Sequence, residues 1–163
     1  FTAGLGVWAT HYVGMEAYEA PLTISYDPLL TAASLAVVLL GQVMAMGVGL
    51  GGPNPLWRLG GAVVSFTSIA AMHFLGMAAM RLQGALSWDA QQVVAALAAG
   101  QIFALFAAVA WERLRKPWRA PVCGALASLS VVSLHFTAVS AATITPDTGR
   151  ETAAALAEGA LLF

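Results

Sequence analysis

Six apolar stretches of helical length occupy almost the whole chain, and Pro, Gly and charged residues separate them. An α-helix needs about 20 apolar residues to cross the hydrocarbon layer of a bilayer. Only 9% of the residues are charged, whereas soluble domains carry about 25%, so the chain cannot cover a water-facing surface. It is therefore predicted to be an integral membrane protein embedded in the lipid bilayer. The predicted helices cover residues 1–19, 29–50, 60–83, 91–111, 121–144 and 151–163.

The same composition excludes several classes of protein. A net charge of −1 without a long basic run argues against nucleic-acid binding. The single Cys123 excludes an intramolecular disulfide and a CxxC metal site. Six spans leave no room for a soluble catalytic module, and no nucleophile, base and orienting residue occur at a recognisable spacing. We expect one membrane domain, residues 1–163, that is not an enzyme and is a fragment of a longer chain, because both ends fall inside apolar stretches.

The distribution of Lys and Arg predicts the orientation in the membrane, because cytoplasmic loops retain these residues. The loops after the second and fourth predicted helices carry five of them, and the opposite side carries two. Odd-numbered helices should therefore run outward, with their C-terminal ends near the outer face. The five are Arg58, Arg113, Arg115, Lys116 and Arg119, and the two are Arg81 and Arg150.

Three equally spaced histidines reveal an internal repeat. His11, His73 and His135 are the only histidines, and successive ones lie 62 residues apart. A period of this length holds two membrane helices, so successive copies enter the membrane in the same direction. The predicted fold is therefore all-α: a polytopic transmembrane helix bundle of three repeated two-helix hairpins in a pseudo-threefold arrangement. The repeats cover about residues 1–58, 59–120 and 121–163.

The repeat predicts a metal site where the three histidines share one depth in the membrane. If the odd-numbered helices pack around a common centre, their imidazoles can meet there. Met15 follows His11 by four residues and Met77 follows His73 by four, a spacing that places each pair on one helix face. Imidazole suits Cu, Zn, Fe and Ni, whereas thioether sulfur favours Cu(I). The predicted ligands are therefore His11, Met15, His73, Met77 and His135, and the set argues for copper over zinc.

A structural interpretation of the same residues has to be weighed against the site. A single His in a membrane helix is often satisfied by an interhelical hydrogen bond, and methionine is a common core filler. Three histidines at one depth favour a functional site instead. Gly14 and Gly76 are expected to serve close helix packing. Glu158 is either a proton carrier or counter-ion in the last apolar stretch, or a residue near water at a helix end.

At these residues the chain resembles the MHYT domain, a bacterial membrane-embedded sensory module named for its Met-His-Tyr-Thr motif. The resemblance covers essentially the whole chain. It departs from the motif in the leading Met, which only the second copy keeps, and in the third copy, where Ala138 and Val139 replace the Gly-Met pair. The three copies are Thr10-His11-Tyr12, Met72-His73-Phe74 and Leu134-His135-Phe136.

The resemblance implies an input module of the bacterial cytoplasmic (inner) membrane. Such domains lie ahead of diguanylate cyclase, phosphodiesterase or histidine kinase outputs. Their motif residues have been proposed to bind copper and thereby to sense O2, CO or NO. Carried over to this chain, that proposal points to His11, Met15, His73, Met77 and His135.

Three functional hypotheses therefore stand. In the first, a sensor holds copper through the histidines and one or both motif methionines, and redox state or a diatomic gas shifts the helix packing. In the second, a transporter or channel uses the same histidines as a transit site for copper or protons. In the third, two of the histidines are axial ligands of a haem.

Overall fold

A computed structural model describes residues 2–16, 25–81 and 84–146. These residues form five α-helices and four short strands. The helices are α1 (Thr2–Glu16), α2 (Pro28–Gly49), α3 (Pro55–Ala78), α4 (Ala90–Arg113) and α5 (Arg119–Ser140). The strands are β1 (Ser25–Tyr26), β2 (Met80–Arg81), β3 (Gly84–Trp88) and β4 (Ala142–Pro146). The sixth predicted helix, 151–163, and Glu158 within it lie outside the described residues.

Four of the helices, α2 to α5, are long and apolar enough to cross a membrane. Their outward faces keep large apolar side chains exposed, for example Leu40 at 66%, Val94 at 65% and Phe106 at 55%. Such faces would be unfavourable in water but suit contact with lipid chains. The prediction of a multi-pass membrane protein is confirmed.

Acidic and amide side chains fix where three of the helices begin. Asp27 accepts hydrogen bonds from the backbone N–H groups at the start of α2, and Asp89 does the same for α4, one repeat period further along the chain. Asn54 caps α3, which starts at Pro55 and so five residues earlier than predicted. Proline at the first helical position has no N–H to leave unsatisfied, which favours a start there.

The predicted ends of two helices were wrong. Helix α3 ends at Ala78 and α5 at Ser140, rather than at residues 83 and 144. In each case the chain turns into a strand: β2 pairs antiparallel with β1, and β4 with β3. The turns are fixed by two equivalent hydrogen bonds, from Asp27 N to Ala79 O at 2.8 Å and from Asp89 N to Ala141 O at 2.9 Å. The fold is therefore helical, with two small ribbons that cap one end of the bundle.

The helices pack most extensively across the boundaries of the repeat. Helix α2 runs along α3 and α4 along α5, while α3 also contacts α1, α4 and α5. Helix α3 is therefore the most central element of the described chain. The pseudo-threefold arrangement of three hairpins stays a prediction, because the predicted second helix of the last hairpin, residues 151–163, lies outside the described part.

Candidate metal centre

The three histidines come together in one layer, which we call the histidine layer. Nδ1 of His11 lies 3.2 Å from Nδ1 of His73 and 3.4 Å from Nδ1 of His135. The ring centroids of the three pairs are 4.9, 5.5 and 5.3 Å apart. His11 and His73 are buried, and His135 is partly buried. Helices α1, α3 and α5 thus each contribute one imidazole at the same level.

The distances between these nitrogens match a shared metal ion. Ligand atoms held at about 2.0 Å from one ion, at tetrahedral to trigonal angles, lie roughly 3.3–3.5 Å from one another. The two Nδ1 separations, 3.2 and 3.4 Å, are close to that range. One ligand atom from each of the three histidines lies within 4.8 Å of the others. The side chains therefore fit a single metal ion at the centre of the layer.

The hydrogen bonding of the imidazoles also points to a missing partner. Nε2 of His11 and Nε2 of His73 are buried and have no hydrogen-bond partner among the described residues. A neutral imidazole carries only one N–H, so three rings whose Nδ1 atoms converge cannot all satisfy one another. A cation between the Nδ1 lone pairs removes the conflict at Nδ1. It leaves the single proton of each ring on Nε2, where an acceptor is still required.

Two glycines let neighbouring helices reach the histidine layer. A Cβ atom added at Gly76 of α3 would collide with Nε2 of His11, and one added at Gly14 of α1 would lie 3.1 Å from Nε2 of His135. Each imidazole edge therefore packs against the backbone of another helix. The packing role expected for Gly14 and Gly76 is confirmed.

The two predicted methionine ligands lie one helical turn from the imidazoles, on the side of the ribbons. Met15 and Met77 are buried, with 3% and 2% of their surface exposed. They line a cavity of about 20 Å³ together with Met80, and the histidines do not line it. We call this space the methionine cavity. Sequence reasoning missed Met80, because it lies outside the repeated motif.

A larger cavity adjoins the histidine layer on the opposite side. Its volume is about 110 Å³, and the three histidines form part of its wall. We call it the apolar cavity, because most of its other lining side chains are aliphatic. Three of these occupy equivalent positions of the repeat: Val7, Ile69 and Val131.

Aromatic side chains next to the histidines form the walls of the layer. Tyr12, Phe74 and Phe136 each contact the preceding imidazole edge to face, with centroids 5.1 to 5.2 Å apart. The Tyr12 hydroxyl lies 3.3 Å from the Ser34 hydroxyl, to which Trp8 also donates a hydrogen bond. In the first repeat the wall is therefore anchored to α2 by polar contacts.

Comparison with known proteins shows which family the chain is similar to. The model of the family described as "MHYT: Bacterial signalling protein N terminal repeat" matches residues 4–62 and 67–124. A signalling protein of Caulobacter vibrioides is 33% identical over 160 residues, which are 98% of this chain and 20% of that protein. The cyclic di-GMP phosphodiesterase NbdA of Pseudomonas aeruginosa is 30% identical over 159 residues, 91% of this chain and 20% of NbdA. No solved structure matches the chain.

The chain spans about a fifth of the length of these two curated relatives. A third, the bifunctional diguanylate cyclase/cyclic di-GMP phosphodiesterase MucR of Pseudomonas aeruginosa, is 36% identical over 90 residues, 55% of this chain and 13% of MucR. The similarity to enzymes thus covers a small part of each enzyme. The prediction that this chain is not itself an enzyme is confirmed.

Proposed function

Because the chain belongs to the MHYT family of bacterial signalling proteins, we propose that it is a membrane sensory input domain that binds copper and signals to a cytoplasmic output domain. The ligands are the imidazoles of His11, His73 and His135, with Met15 and Met77 as adjoining sulfur donors. The observation that carries the proposal is the convergence of three Nδ1 atoms from three helices in one buried layer.

The donor set favours copper over zinc. Three imidazoles alone also suit zinc, as in catalytic zinc sites with three histidine ligands. Thioether sulfur, however, is a soft ligand that favours Cu(I), whereas zinc more usually takes thiolate or carboxylate beside histidine. Met15 and Met77 lie one turn from the imidazoles, so the donors nearest to the histidine layer on that side are soft. Copper supplies an ion whose charge and coordination change with oxidation state or with an added gas ligand.

The apolar cavity supports a diatomic gas as the signal. Its volume of about 110 Å³ compares with the roughly 150 Å³ of an engineered apolar cavity that binds benzene or xenon. Such a space accommodates O2, CO or NO directly against the imidazoles. A redox change at the same site is the alternative signal.

The packing of the histidine layer supports transmission to the helices. Since Gly14 and Gly76 lie against imidazoles of neighbouring helices, a movement of the rings changes how α1, α3 and α5 pack. Signalling then follows from the different stabilities of two helix arrangements. The output is a cyclic-di-GMP enzyme or a histidine kinase, and the first of these classes appears in the names of NbdA and MucR.

The orientation proposed from the charges places the ribbons at the outer face of the bacterial inner membrane. The loop between α4 and α5 carries Arg115 and Lys116, with Arg113 and Arg119 beside it. Cytoplasmic loops retain such residues. The histidine layer then lies toward the outer leaflet, because His73 precedes the end of α3 by five residues, or about 7.5 Å along the helix axis.

Contacts between the helices favour sensing over the transport and haem hypotheses. A transport path to the other face would need free polar side chains along the bundle. Three serines of the bundle are instead engaged in hydrogen bonds between helices: Ser65 and Ser68 with Gln42, and Ser130 with the Gly100 carbonyl. A haem needs its two axial imidazoles on opposite faces of a porphyrin. Here Nδ1 of His11 lies only 3.2 Å from that of His73, which leaves no space for the ring.

Elemental analysis of the protein, purified without chelator or added metal, tests the proposal. We expect about one copper per chain at the imidazoles, because one central position serves all three. His73→Ala and His135→Ala should each lower the nitrogen-bound copper, read by X-ray absorption, at least about tenfold. Leu129→Ala is the matched control: the residue lies on the same helix as His135, but its side chain is 46% exposed and lines neither cavity, so copper content should not change.

The outcomes separate the rivals. Nitrogen-bound copper that persists in both histidine variants contradicts the ligand assignment. Zinc in place of copper overturns the choice of metal, and a Soret band would identify haem. Copper flux into liposomes carrying the wild-type protein would support transport over sensing.

A further inference from the structure

The methionine cavity has a chemistry of its own. Its volume is about 20 Å³, and three of its seven lining side chains are methionines. The four others, Leu86, Val139, Ala142 and Ile144, are aliphatic. The lone pairs that side chains present to this space therefore belong to thioether sulfur alone.

The size and the ligand type together specify what the cavity can hold. A cavity must offer about 10–15 Å³ to admit one water molecule, so this one admits a single small ion without its hydration shell. Neutral sulfur donors do not replace the water ligands of hard cations such as Mg²⁺, which dehydrate reluctantly. Soft thioethers select Cu(I) among the available metals, and Ag⁺ shares that preference. The cavity is therefore suited to a soft monovalent cation.

Met80 supplies the sulfur that the third repeat lacks. Val139 stands where the first two repeats have Met15 and Met77, so that layer offers only two sulfurs. Met80 is the first residue of β2 and lines the same cavity. Its position is fixed by pairing with Tyr26 of β1 and by the hydrogen bond that Ala79 O accepts from Asp27 N at 2.8 Å. The ribbon thereby brings a third methionine to the lining of the cavity.

We propose that Met15, Met77 and Met80 form a second site, selective for a soft monovalent cation, between the ribbons and the histidine layer. This inference rests on the proposed copper function and names how the ion reaches it. Met15 and Met77 lie four residues after His11 and His73, about 6 Å along the helix axis. Cu⁺ arriving at the ribbon end meets the sulfurs first and the imidazoles next.

The test uses Ag⁺, a redox-inert probe, with the whole chain in detergent. We expect the wild type to bind two Ag⁺ ions, and X-ray absorption to show nitrogen neighbours at one and sulfur neighbours at the other. Met80→Leu keeps the apolar volume nearly unchanged. It should weaken the sulfur-bound ion at least about tenfold and leave the nitrogen-bound ion in place.

Matched variants keep the test interpretable. Met46→Leu removes a methionine that is 65% exposed, and Ag⁺ binding should not change. Met15→Leu provides a second variant of the site and should weaken the same sulfur-bound ion. Equal Ag⁺ affinities in Met80→Leu, Met15→Leu and Met46→Leu would overturn the thioether site.

The double variant His73→Ala/His135→Ala separates this inference from the proposed function. Retention of one sulfur-bound Ag⁺ in that variant supports an independent thioether site. Loss of all Ag⁺ overturns it, while a wild type that still binds copper through nitrogen leaves the histidine site standing. A wild type that binds Ag⁺ only through sulfur, and no copper through nitrogen, overturns the histidine site instead.

Discussion

The two sides of the histidine layer differ in both size and chemistry. On one side the apolar cavity, of about 110 Å³, has mostly aliphatic walls, and on the other the methionine cavity, of about 20 Å³, offers sulfur. The first suits a neutral molecule and the second a soft ion. In terms of the proposed function, the three imidazoles separate a space for a signal ligand from a space for a second, sulfur-bound ion.

The internal repeat shows how this asymmetry arises. The histidine position is identical in all three copies, whereas the position four residues later is Met15, Met77 and then Val139. Four residues before each histidine, all three copies are aliphatic. The chain thus keeps threefold equivalence where one ion needs equal ligands, and departs from it in the neighbouring sulfur layer.

The largest effect confined to one cavity is expected from filling the apolar cavity, which should block gas binding and leave the metal in place. Val131→Phe places a ring in the space beside the imidazoles. We expect CO binding to fall at least about tenfold, measured by the infrared band of CO on the copper-loaded protein, with copper content unchanged. Leu129→Phe, at a residue 46% exposed, is the control. Unaltered CO binding in Val131→Phe would show that the gas does not occupy this cavity.

Adding one methyl group at Gly76 should disturb the histidine layer itself. The Cβ of Gly76→Ala would collide with the His11 ring, and overpacking of this kind costs roughly 1–3 kcal/mol. Copper affinity should fall about 10- to 100-fold, because one imidazole is displaced. A competition titration with a Cu(I) chelator measures it.

The control for that variant is Gly47→Ala, because a Cβ at Gly47 meets no atom within 4 Å. Alanine at a position with free space should stabilise the helix slightly. If both glycine variants bind copper equally well, close approach at Gly76 does not hold the layer.

A third repeat methionine at the methionine cavity should have a smaller effect, which is confined to ion binding in that cavity. Val139→Met restores at the third repeat the residue present in the first two. We expect Ag⁺ affinity at the methionine cavity to rise about threefold to tenfold, measured by equilibrium dialysis, while CO binding stays constant. Val63→Met, at a residue 43% exposed, should change neither. A fall in Ag⁺ affinity would mean that a third side chain obstructs the cavity.

The smallest effect is expected at the β1–β2 ribbon, which contributes Met80 to the methionine cavity. A hydrogen bond from Arg81, together with those from the backbone N–H groups of Leu30 and Leu29, holds the pKa of the Asp27 carboxyl below its ordinary value of 3.8. The stability that this carboxylate contributes is present above its pKa in the unfolded chain and is lost as the pH falls through the lowered pKa in the fold. The loss therefore lies below about pH 4.

Asp27→Asn separates the ion pair from the helix cap, because Asn also caps helices well. At pH 7 its Tm should be about 1–3 °C below that of the wild type, and the difference should shrink below pH 4. Thermal unfolding followed by tryptophan fluorescence measures both. Asp89→Asn is the control, since Thr143 stands at the repeat position equivalent to Arg81. An equal Tm decrease in both variants would assign the effect to capping.

Much of the fold and the centre of the site follow from the sequence. The long apolar stretches predict α2 to α5, because a lipid environment leaves few alternatives for such segments. The equal spacing predicts that His11, His73 and His135 meet, since equivalent positions of a parallel repeat share one depth. The structure brings those three rings together as expected.

The ribbons and the cavities could not be predicted in this way. Strands β1 and β2 have two residues each, too few for a periodic pattern, and their pairing joins segments far apart in the sequence. Met80 lies near Met77 in the chain, but only the ribbon brings it over the same cavity. The size of a cavity depends on packing among several helices, which periodicity does not encode.

The glycine contacts run in one direction around the bundle. Gly76 of α3 lies against the imidazole of α1, and Gly14 of α1 lies against the imidazole of α5. The imidazoles of α1 and α5 therefore each pack against the glycine backbone of a neighbouring helix. A rotation of α3 about its own axis would press the backbone at Gly76 against the His11 ring, so these helices have little room to move past one another without displacing an imidazole.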